Sequence, residues 1–181
     1  MALKSTVYKA GLQVSDMDRG YYGSHSLTLA RHPSETDERM MVRLLAFALN
    51  ASDALAFGRG LSTDDEADLW QKDLTGSIDL WIDVGLPDEK LIRKACGRAE
   101  RVIVYAYGGR AADIWWDQAG SKLGRAANLA VMNLPLAASR ALAGLAQRSM
   151  QLQCMIQDGS VWFSEGDATV SLMLETLKAP D

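Results

Sequence analysis

Cysteine, histidine, aromatic side chains and positive charge are all in short supply in this chain of 181 residues, and each shortage excludes something. Its two cysteines, Cys96 and Cys154, fall in no paired Cys/His spacing, which excludes a disulfide-stapled scaffold and a zinc site and points to a reducing compartment. The two histidines, His25 and His32, are not at ligand spacing either, and His32 beside Pro33 reads as structural. No charged start followed by an apolar run is present, and no stretch approaches the roughly 20 apolar residues of a membrane span, so the expected setting is the cytoplasm with no membrane partner. A net charge of -4 and a pI near 5.2 remove the global attraction to phosphates typical of nucleic-acid binders. Aromatic residues make up 7%, which leaves little for base stacking. Absent too are a Ser/His/Asp order, a nucleophile elbow, a phosphate-cradling glycine loop and a dinucleotide fingerprint.

What the chain does have is 48% hydrophobic residues, enough for one core, and residues 1–181 read as a single domain without linker or repeat. Alternating patterns predict strands over Thr6 to Val14 and Tyr21 to Ala30, around an Asp16-Met17-Asp18 turn. Helical periodicity follows from Ser34 to Ala51, where Ser34 and Asp37 approximate a capping box and Met41, Leu44, Leu45 and Ala48 form an apolar stripe. A short strand at Leu55 to Gly58 leads through Gly60 into an acidic loop at Asp64-Asp65-Glu66. Next come a strand from Ile78, a helix starting near Asp88, and a strand from Arg101 to Tyr107, with the two strands parallel through a right-handed crossover. The remainder reads as a helix from Ala111 to Ser121, a strand at Asn128 to Asn133, a helix from Ala137 to Arg148, a hairpin around Asp158-Gly159, and a strand at Thr169 to Leu177. The order gives a mixed β-sheet flanked by helices, in the α/β or α+β class.

The most informative stretch runs from Glu66 to Lys94. Ile78, Leu80, Ile82 and Val84 share one strand face and Asp79, Trp81 and Asp83 the other. Asp79 and Asp83 lie about 13 Å apart at roughly 3.3 Å per residue, too far to share an ion whose oxygen ligands sit at about 2.0–2.6 Å. A partner for Asp83 must come from a neighbouring element, and Asp68 is the nearest candidate in sequence. Acids on and just before a strand, with a lysine on the next helix, are the layout of a phosphodiesterase that uses Mg or Mn.

Several blocks carry a resemblance to a known family: the N-terminal Met-Ala-Leu-Lys-Ser-Thr-Val-Tyr-Lys-Ala, Leu29-Ala30-Arg31-His32-Pro33-Ser34-Glu35-Thr36 with Glu38-Arg39-Met40-Met41, and Ile78-Asp79-Leu80-Trp81-Ile82. Gly85-Leu86-Pro87-Asp88-Glu89, Lys94-Ala95-Cys96, Trp115-Trp116 and Ile156-Gln157-Asp158-Gly159 with Trp162 extend it across the chain. Together they resemble the bacterial YaeQ family. That resemblance implies a variant of the PD-(D/E)XK nuclease core, with added N- and C-terminal antiparallel strands. Against the nuclease pattern, Ala67 replaces the proline, Asp68 and Asp83 match the two acids, and Gly85 stands where the lysine belongs. Leu86 stands where many such chains would carry glutamine.

The resemblance also implies a further acid on the first core helix. Glu38, one turn before Met41 on the buried stripe, fits, although an ion pair with Arg31, Arg39 or Arg43 accounts for it equally well. Lys94 is the candidate to replace the missing lysine as a water-orienting cation, against an ordinary helix lysine that snorkels past the core. Arg31, Arg39 and Arg43, then Arg93, Lys94, Arg98 and Arg101, are the candidate basic patch, against solvated faces that alternate with acids. One of Trp115 and Trp116 should lie near the surface, as a stacking platform or as packing between sheet and helix. The candidate function is a metal-dependent nuclease or phosphodiesterase with Asp68, Asp83 and Glu38 as metal ligands and Lys94 as catalytic cation. The alternatives are an inactive nuclease-fold module that binds nucleic acid or protein, and a purely structural use of the acids.

Overall fold

A computed structural model describes residues 4–59 and 65–181; Gly60 and Asp64, read above as loop, lie outside them. Two sheets are present where one mixed sheet was expected. The first comprises β1 (Thr6–Asp16), β2 (Tyr21–Arg31), β8 (Ser149–Gln157), β9 (Ser160–Glu165) and β10 (Ala168–Met173), in the order β10-β9-β8-β1-β2. The second comprises β3 (Leu55–Phe57), β4 (Leu69–Lys72), β5 (Ile78–Val84), β6 (Ala99–Ala106), β7 (Leu129–Asn133) and β11 (Glu175–Lys178), in the order β11-β7-β6-β5-β4-β3. β5, β6 and β7 run parallel, as the intervening helices require, and β1 also runs parallel to β8.

α1 (Asp37–Leu49) lies between the sheets. Thr36, not Ser34, is its cap: the Thr36 hydroxyl accepts the Arg39 N–H at 3.1 Å, and Asp37 and Glu38 suit the positive end of the helix dipole. Ser34 is instead engaged with the His32 ring at 2.6 Å, so the helix begins three residues later than its sequence signal. Every residue from Met40 to Ala48 is buried, because a helix with sheets on both sides needs no polar face. α4 (Leu136–Ala143) packs beside α1, and stops at Gly144 well before Arg148. α2 (Glu89–Arg98) and α3 (Arg110–Leu123) cover the opposite face of the second sheet with narrow stripes, Ile92 and Ala95 in α2 and Ala112, Ala119 and Leu123 in α3. The layers are therefore sheet, helices, sheet, helices, with the outer face of the first sheet in solvent.

The expected strand at Thr169 to Leu177 divides. Its first part is β10, and after half-buried Leu174 the chain crosses to the other sheet as β11, beside β7. No helix among the described residues is long and apolar enough to cross a membrane.

Candidate functional site

β4 runs antiparallel to β5 with Leu69 opposite Ile82, so the residue that precedes β4 meets the end of β5. That register brings Asp68 beside Asp83. The Gly58 N–H donates to the Asp68 carbonyl at 2.9 Å, and a Cβ at position 58 would lie 1.9 Å from the Ala67 carbonyl oxygen. Only a glycine allows this approach, which fixes the backbone under Asp68.

Both carboxylates are held at each oxygen. Asp68 accepts the Val84 N–H at 2.8 Å on Oδ2 and the Arg39 guanidinium at 2.7 Å on Oδ1. Asp83 accepts the Asp68 N–H at 3.2 Å on Oδ1 and the Trp81 indole N–H at 3.0 Å on Oδ2. Arg39 also donates to Glu35 at 2.6 Å, and Arg43 binds Glu35 through two nitrogens at 2.9 and 2.5 Å. Glu35, Asp68 and Asp83 thus share two guanidinium groups, which leaves one negative charge unbalanced. The deficit falls on Asp83, whose carboxyl is pushed up to about 6 by burial and then by the charge of Asp68, against the Trp81 and Asp68 N–H donors and Arg39. Arg39 is held above its ordinary value: burial would lower it, but Asp68 and Glu35 outweigh that. Tyr107, just beyond β6, lies in the same field. Burial pushes its hydroxyl up to about 12; Arg39 opposes the rise and Glu38, Glu35 and Asp68 add to it.

Of the four expected site residues, two come together. Glu38 is half-buried and its carboxylate accepts the hydroxyl of Ser139 on α4 at 3.1 Å, so it ties α1 to α4. The arginines expected to pair with it are taken by others, Arg39 and Arg43 by Glu35 and Arg31 by Asp37. Among the described residues no group of three or more His, Cys, Asp and Glu side chains is poised to hold one metal ion, so the expected three-acid set is reduced to an acid pair. Lys94 is bonded to Asp65 and not to that pair. It lies on the solvent side of α2, opposite Ile92 and Ala95, and its contact with Asp65, at 3.0 Å, leaves both side chains well exposed.

The candidate basic patch is also largely spent on acids and aromatic rings, with Arg93 on Glu89 and Arg98 over the Trp81 ring. Trp115 donates its indole N–H to the Pro87 carbonyl at 2.8 Å, and both Trp115 and Trp116 pack half-buried on the outer core. They are packing residues and not a free platform. Glu35 is absent from the candidates the sequence offers, and Arg43 pairs with it and not with Glu38. The signal for this pair is Arg43 itself, a lone charge inside the apolar run Met40-Met41-Val42 and Leu44-Leu45, which demands a buried partner.

A family model described as YaeQ protein matches residues 1–174. The YaeQ proteins of Salmonella typhi and of Escherichia coli K12 are 48% and 47% identical to this chain over 180 residues, with 99% of each chain covered in both comparisons. Among solved structures, the YaeQ protein of Xanthomonas axonopodis pv. citri superposes with a TM-score of 0.94 at 55% identity, over 97% of this chain and 99% of that one. The YaeQ protein of Pseudomonas syringae gives 0.90 at 37% identity, over 97% of each.

Proposed function

The chain belongs to the YaeQ family, and from that premise we propose that it is a divalent-metal-dependent phosphodiesterase acting on nucleic acid through the Asp68–Asp83 pair, on a variant of the PD-(D/E)XK nuclease core. The observation that carries the reading is the charge deficit at Asp83: two carboxylates meet at the end of a central strand with one positive charge too few. Mg²⁺ and Mn²⁺ suit such a pair, because Mg²⁺ binds through one or two carboxylates and takes its remaining ligands from water and substrate phosphate. Asp68 and Asp83 would hold the ion, which when bound polarises a phosphoryl oxygen and lowers the pKa of a bound water.

The chain's own groups account for the rest. Arg39, from α1, is the cation next to the pair and would serve in place of the lysine that Gly85 leaves out of the nuclease pattern. Glu35 and Asp68 fix its guanidinium, so its charge is oriented before substrate arrives. Tyr107 keeps its proton across the physiological range and supplies a donor near the same carboxylates.

The test is thermal unfolding with and without Mn²⁺. An ion present at about tenfold its dissociation constant should stabilise by about 1.4 kcal/mol, or about 3–6 °C for a chain of this length. Asp83→Asn should abolish the shift, and DNA and RNA cleavage should depend on the same ion. Absence of any shift at millimolar Mn²⁺ refutes the metal site. If nucleic acid then binds without cleavage and more weakly as salt rises, the binding-module reading takes its place.

A further inference from the structure

The free edge of the first sheet is unguarded. Exposed edge strands are usually blunted by shortness, lysine, proline, a bulge or a covering element, since their unpaired backbone groups invite another strand. The edges of the second sheet follow that rule: β3 has three residues and β11 four. β2 does not. It runs eleven residues in unbroken register with β1, and from Tyr21 to Ala30 it holds no Asp, Glu, Lys, Arg or proline, in a chain that is 23% charged. Among the described residues, the one contact to its backbone from outside the sheet is Arg43 on the Ala30 carbonyl, at 3.4 Å. The half of its N–H and C=O groups that point away from β1 otherwise have no partner among the described residues.

We propose that β2 is the docking edge for a second copy of this chain, with two β2 strands pairing antiparallel about a two-fold axis at Ser26. The register that overlaps all eleven residues sets Ser26 opposite its own copy, and no pair sets like charges against one another. On the solvent face Ser24 meets Thr28 and Tyr22 meets Ala30; on the inner face His25 meets Leu27, Gly23 meets Leu29 and Tyr21 meets Arg31. Hydroxyls face hydroxyls on the solvent face, and apolar or uncharged groups meet on most of the inner one. Tyr21 and Leu27, left half-buried at the edge of the core, become covered. A ladder of this length supplies about ten main-chain hydrogen bonds, the number an ordinary protein interface carries. Charge selects the place as well: a chain of net charge -4 repels its copies over most of its surface but not along an uncharged strand. The opposite edge, β10, has six residues, and a β2-to-β10 contact would propagate as a filament where the β2 pair closes. This inference is independent of the acid pair.

Sedimentation and light scattering of the full chain should give a particle of twice 19.7 kDa. Ser26 is exposed and its neighbour on β1 is Gly11, over which the flexible end of the Gln151 side chain lies, so a larger side chain at Ser26 meets a group that can give way and no backbone. Ser26→Lys should set like charges directly opposite one another and weaken the dimer at least about tenfold, and Ser26→Glu should do the same. An equimolar mixture of the two variants should restore the dimer, because the register then pairs opposite charges. A monomeric wild type, a Ser26→Lys chain that stays dimeric, a mixture that stays monomeric, or open-ended polymers would each overturn the proposal.

Discussion

Replacing Arg43 by methionine is expected to remove about 3–5 kcal/mol of stability, a large share of the roughly 5–15 kcal/mol available to a domain. Arg43 and Glu35 are 3% and 2% exposed, and Arg43 spans both Glu35 oxygens. Without it, Glu35 keeps only Arg39, which it already shares with Asp68, and a buried carboxylate stands half-neutralised. Urea unfolding of the variant measures the loss. Adding Glu35→Leu should recover most of it, because an apolar pair often replaces a buried ion pair at little cost, while a broken pair leaves a charge stranded. A loss below about 1 kcal/mol for the single variant would mean that the pair contributes little to holding α1 against β2.

The second large effect is in pH. Asp83 titrates at about 6 in the folded chain against an ordinary 3.8, so its folded carboxyl holds a proton more tightly than the unfolded one does. That contribution to stability is complete below about pH 4 and is lost as the pH rises through about 6. Asp83→Asn has nothing to titrate there. Between about pH 4 and pH 7, with no added metal, the wild type should therefore lose about 2–3 kcal/mol relative to the variant, the difference being read from urea unfolding of both at each pH. A constant difference across that range would show that Asp83 is not the strained group. The asparagine's own penalty, an amide N–H turned toward the Trp81 indole donor, is independent of pH and cancels in the comparison.

Much of this architecture was legible where one period dominates. The Ile78 strand, the start of α2 near Asp88 and the parallel β5–β6 pair follow from local pattern, and the structure reproduces them. Of the expected inner face, Leu80, Ile82 and Val84 hold, while a register shift against β4 leaves Ile78 packed with Trp81 in the outer core. β4 was missed because Gln71 and Lys72 break its alternation and its strand character comes from pairing with β5. The Asp68–Asp83 contact was legible because a strand requires a partner acid from the neighbouring element, and Asp68 was nearest. Glu38 and Lys94 were misplaced because helical spacing gives a face but not what that face meets. Their partners, Ser139 for Glu38 and Asp65 for Lys94, lie 101 and 29 residues away. Glu35 escaped because the helix signal at Ser34 put it inside the first turn, when the chain is still approaching the Thr36 cap there.

The parallel seam between β1 and β8 has a consequence for biosynthesis. Lys9 lies opposite Ser149, so the β1–β2 hairpin leaves the ribosome with one flank bare and must wait until Ser149–Gln157 has been made. During that interval the nascent chain carries an unsealed apolar ribbon, which is the kind of segment that holdase chaperones capture.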